Sequence, residues 1–230
     1  LRQAVADTIS ASRLVTPGYW LASADGRVQP FGTAEPLGDL GGAPLNSPVR
    51  AMATTPGGRG YWLLTGDGGI FAFGDAAFHG STGAIKLNQP VVGMASTPTG
   101  RGYWLVARDG GIFAFGDAAF RGSTGAIKLN QPVVGMAPAP RGDGYWLVAR
   151  DGGLFSFNTA FLGSVPGLRP ASSTATVAMR SSPTGRGYYI LGSDGGILAF
   201  GDARFHGAAA GLGGPAGAVD LGLQPPVAAV

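Results

Sequence analysis

Residues 102–118 read Gly-Tyr-Trp-Leu-Val-Ala-Arg-Asp-Gly-Gly-Ile-Phe-Ala-Phe-Gly-Asp-Ala. Two short apolar runs, Tyr103–Ala107 and Ile112–Phe115, flank Asp109-Gly110, and neither run is long enough for a helix. Alternating apolar segments joined by Asp-Gly signal a β-hairpin, here expected to have a two-residue turn whose central residues both need positive φ. Gly116-Asp117-Ala118 then marks a further turn.

The same string recurs. Its Gly-Tyr-aromatic step stands at Gly18-Tyr19-Trp20, Gly60-Tyr61-Trp62, Gly102-Tyr103-Trp104, Gly144-Tyr145-Trp146 and Gly187-Tyr188-Tyr189, a period of 42 or 43 residues. Met52, Met94, Met136 and Met179 each precede the next step by eight residues, and residues 60–101 and 102–143 differ at eight positions. Self-similarity at this period belongs to repeat architectures.

Each unit is expected to supply four antiparallel strands. In one blade these are Val91–Ala95, Tyr103–Ala107, Ile112–Phe115 and Ala119–Gly122, with Val133–Ala137 opening the next. A lone meander leaves apolar faces and edges bare, so the units must pack on one another. Four-stranded units of this length predict an all-β, five-bladed β-propeller covering residues 17–230, with residues 1–16 as an N-terminal segment or linker. Ser10 stands where the first unit needs its methionine. Pro215–Leu223 echoes Pro90–Ala95, with Val219 in the methionine slot, and is expected to close the ring by completing the first blade.

The chain is 45% hydrophobic and only 13% charged, with 42 glycines, 17 prolines and a net charge of +3. It is too apolar for disorder. Its cations are scattered, which argues against nucleic acid. No apolar run is long enough for a membrane helix, no signal peptide opens the chain, and any export signal is expected to have been removed ahead of it. No cysteine is present, so neither disulfides nor thiolate metal sites arise.

The 102–118 string resembles propeller repeats of secreted actinobacterial proteins, and the blade number and size resemble the five-bladed tachylectin-like lectins. The first resemblance implies an extracellular accessory module; the second implies sugar binding between blades and transfers no contact residues.

Catalytic material is thin. His79 and His206 follow a phenylalanine at a position where sister units carry Arg121 and Leu162, so both are expected at the surface. Asp75, Asp117 and Asp202 lie in Gly-Asp-Ala turns without the alternating ligands of a calcium loop. Trp20, Trp62, Trp104 and Trp146 are expected in the core. No metal, cofactor or catalytic residue is assigned.

Strand direction locates the ligand candidates. In a meander, the turn between the second and third strands emerges on the same side as the connection to the next blade. One face should therefore collect Asp25, Asp67, Asp109, Asp151 and Asp194 with Lys86, Asn88, Gln89, Lys128, Asn130 and Gln131, of which Asp67, Asp109 and the six connection residues are the candidate ligand contacts. The expected function is non-catalytic recognition of a glycan or surface polysaccharide; the alternative is a protein-interaction or scaffold module.

Overall fold

The computed structural model describes residues 18–168 and 174–208. It contains five antiparallel sheets, one per repeat and in chain order. The first pairs β1 (Tyr19–Ala22) with β2 (Val28–Phe31). Three strands form each of the others: β3 (Val49–Thr54), β4 (Gly60–Thr65) and β5 (Ile70–Gly74); β6 (Val91–Ser96), β7 (Gly102–Ala107) and β8 (Ile112–Gly116); β9 (Val133–Pro138), β10 (Tyr145–Ala149) and β11 (Leu154–Phe157); β12 (Thr176–Ser181), β13 (Gly187–Gly192) and β14 (Ile197–Gly201). A single turn of helix, α1 (Val165–Leu168), interrupts the connection between the fourth and fifth sheets.

Neighbouring sheets meet through their first strands: β6 lies against β3 and β9, and β9 against β12. The cores lie between blades because adjacent residues on a strand face opposite ways. Tyr103 packs backwards with Trp62, Leu64 and Met94, while Trp104 packs forwards with Met136, Tyr145 and Leu147. Trp62, Trp104 and Trp146 are fully buried, as expected for core aromatics.

The fourth strand expected at Ala119–Gly122 makes no ladder pairing. Side chains hold this outer segment instead. Trp104 Nε1 donates to Ala119 O at 2.9 Å. From the following blade, Tyr145 OH accepts from Arg121 N at 3.0 Å and donates to Gly122 O at 2.7 Å. Tyr103 makes the same pair with His79 N at 3.1 Å and Gly80 O at 2.6 Å, and Tyr188 makes it with Leu162 N and Gly163 O; Tyr61 donates to Gly38 O. Each tyrosine thus latches one blade to its predecessor. Burial pushes the four hydroxyls above the usual phenol range.

The Asp-Gly loops also depart from expectation. Gly110 N donates to Ala107 O at 2.8 Å and Ala107 N to Gly111 O at 2.8 Å, so the loop has three residues. Only Gly110 has positive φ, 78°, which matches a turn followed by a left-handed glycine. Asp109 keeps an ordinary φ because its Oδ1 accepts from Gly111 N at 2.9 Å.

His79 is half-buried against Tyr103, ring centroids 5.6 Å apart, rather than on the surface; His206 is exposed. The expectations for residues 1–16 and for closure by Pro215–Leu223 fall outside the described residues.

Candidate functional site

The turn between second and third strands and the connection leaving the blade are hydrogen-bonded to each other. Thr82 N donates to Gly68 O at 3.1 Å, and Thr124 N to Gly110 O at 3.1 Å. Both threonine side chains are buried, and Thr124 Oγ1 adds a bond to Asp109 O at 3.0 Å. The turn backbone is also tied to the first strands on either side: Arg108 N donates to Pro90 O, and Val133 N to Arg108 O, at 3.0 and 2.9 Å. Gly66 makes the same pair with Pro48 and Val91.

These ties leave a shallow recess at each junction. The first, of about 250 Å³, gathers Asp67, Asn88 and Gln89 with an apolar wall of Ile85, Leu87 and Pro90. The second, of about 270 Å³, gathers Asp109, Asn130 and Gln131 with Ile127, Leu129 and Pro132, and adds Arg108. Gln89 lines both, so the two are neighbours along one groove. Six of the eight candidate contacts thus line a recess; Lys86 and Lys128 are exposed beside them and line neither.

The aspartates are shaped by their turns. Asp67 Oδ1 accepts from Thr65 Oγ1 at 2.5 Å and Gly69 N at 3.3 Å, which leaves Oδ2 for a ligand. Asn88, Gln89, Asn130 and Gln131 are exposed and able to donate and accept.

Sequence reasoning missed the apolar wall. Ile85 and Ile127 are more than half exposed although aliphatic. Their one signal was an Ile-Lys-Leu alternation inside an otherwise polar connection.

The opposite face is a different environment. Asp117 accepts from Thr97 Oγ1 at 2.9 Å and Thr99 Oγ1 at 2.5 Å and lies 3.7 Å from Arg101 Nε. The Thr99 hydroxyl, then Thr97 and Arg101, hold its carboxyl below the usual range. Arg186 and Asp202 repeat the pair at 3.4 Å, and Arg59 and Asp75 at 3.9 Å. These carboxylates brace turns, and among the described residues no three acidic or histidine side chains gather as a metal set.

No protein-family model and no curated protein matches the sequence. Among solved structures, the chain is similar to the β-propeller domain of Myceliophteria thermophila Cps50 (Swd1), with 13% identity and a TM-score of 0.53. The match covers 79% of this chain and spans 61% of that one. At this identity the likeness concerns fold alone, and with the five sheets in chain order it establishes a β-propeller.

Proposed function

We propose that the chain is a non-catalytic, extracellular binding module that recognises a glycan through repeated recesses between blades, as the resemblance to secreted propeller repeats and lectins implies. The supporting observation is duplication of a complete site: carboxylate, two amides and an aliphatic wall recur in the same order at Asp67–Pro90 and Asp109–Pro132. Amides and carboxylates satisfy sugar hydroxyls directionally, and the wall takes the apolar face of the ring. Each recess falls below the roughly 300–1,000 Å³ of an enclosing small-molecule pocket. It suits one unit of a polymer, and adjacent weak sites gain strength through avidity.

A glycan array probed with the purified chain tests this, alongside Asn88→Ala/Asn130→Ala. The double variant is expected to retain its thermal midpoint and bind about fivefold more weakly at each recess, since each amide contributes about 1 kcal/mol. Silence of the unmodified chain across the array would reject the reading.

A second reading, docking of a protein, is favoured by one observation. Phe78, Phe120, Phe161 and Phe205 are each about 60% exposed at equivalent positions on successive outer segments, and repeated exposed aromatics mark interaction surfaces. A pull-down that depends on these phenylalanines would support it.

A further inference from the structure

The two recesses share a plan but obtain their positive charge from different places. The turn position occupied by Gly66 in the first is Arg108 in the second, and the first-strand position occupied by Arg50 is Val92. Arg50 is the extra residue of a β-bulge: Val49 faces Thr65 and Ala51 faces Leu64. The same bulge recurs in β6, where Val92 packs against the core, so it is the bare Gly66 that makes room for Arg50. A Cβ on Gly66 would lie 3.5 Å from both Cγ and Nε of Arg50 and 2.7 Å from Ser47 Oγ. Gly66 thus leaves the space over which Arg50 lies, so one guanidinium stands beside the first recess at its Gly66 edge while Arg108 lines the second.

These guanidiniums are exposed and have no carboxylate within 4.0 Å among the described residues, whereas Arg59, Arg101 and Arg186 on the opposite face face aspartates. Lys86 and Lys128 add a second cation beside each recess, against a single carboxylate in each, Asp67 or Asp109. Two cations to one carboxylate in or beside each recess is a charge balance suited to an anion.

Resting on the glycan reading above, we infer that the recesses take an acidic glycan, one whose sugar units carry carboxylate, sulfate or phosphate. Arg50 and Arg108 would meet the anionic group while the amides hold hydroxyls, because guanidinium matches an oxyanion through paired N–H donors.

The test compares oligogalacturonate with its methyl ester, which keeps the hydroxyls and removes the charge, and dextran sulfate with dextran, each titrated into the intact chain. At about 50 mM salt an acidic form is expected to bind at least about tenfold tighter than its neutral partner, and the gap should shrink at about 500 mM as screening sets in. Arg50→Gln/Arg108→Gln, both at exposed side chains, should remove most of that gap and leave the thermal midpoint unchanged. A preference for sulfate alone would identify the anion as sulfate rather than carboxylate. Equal binding of charged and neutral forms, or a gap indifferent to the double variant, would overturn the charge inference while leaving glycan recognition standing. Absence of binding to every glycan would overturn both.

Discussion

Removing one hydroxyl isolates what holds neighbouring blades together. Tyr103 OH accepts from His79 N at 3.1 Å and donates to Gly80 O at 2.6 Å, and its ring is fully buried between Trp62 and Phe115. Tyr103→Phe keeps the ring and deletes both bonds. Two neutral hydrogen bonds at about 1 kcal/mol each, with a backbone N–H left unpaired beside the ring, give a loss of about 2 kcal/mol. For a chain of this size that is about 4–8 °C in midpoint. Tyr145→Phe and Tyr188→Phe should cost the same, since their bonds are equivalent. Tyr19 provides the internal control: it is 54% exposed and has no latch bond among the described residues, so Tyr19→Phe should change stability by less than about 0.5 kcal/mol. Urea unfolding of the four variants, followed by tryptophan fluorescence, reads the differences. If Tyr103→Phe were as mild as Tyr19→Phe, the hydroxyl would not be the latch.

The same hydroxyls set an alkaline limit. Their pKa is raised by burial, so the stability they contribute is complete below the unfolded value of about 10 and is lost as pH rises through the higher folded values. Urea midpoints should hold steady up to about pH 9 and fall beyond about pH 10, less steeply in Tyr103→Phe. Gly80→Ala probes the packing under the latch, since a Cβ there would lie 2.5 Å from Phe115 Cδ1 with φ at 130°. It should destabilise by about 2–3 kcal/mol in the same unfolding assay.

The strand order of each blade was legible because the apolar Tyr-Trp run, the Asp-Gly hairpin signal and the Gly-Asp-Ala turn punctuate each repeat at fixed offsets. The outer segment was misread because Ala119–Gly122 has the composition of a strand, while its hydrogen bonds go to a tryptophan of its own blade and a tyrosine of the next. Nothing local encodes that choice. The hairpin loop was misread by one residue: Asp-Gly serves two-residue and three-residue loops alike, and the Asp109 carboxylate bonding to Gly111 N decides between them.

Parity of strand direction places Asp67 with Asn88 and Asp109 with Asn130, and each pair lines one recess. It did not reveal Ile85 or Ile127, since an exposed aliphatic residue is unremarkable in a sequence. The exchange of Gly66 and Arg50 for Arg108 and Val92 joins positions 16 residues apart, and only the approach of the Arg50 side chain to Gly66 makes it visible.

Isothermal titration of the unmodified chain with an oligosaccharide from the array tests the central claim of repeated recognition most directly. Two or more sites per chain, one of them weakened about fivefold in Asn130→Ala, is the predicted result. A single site untouched by substitutions at either recess would contradict it.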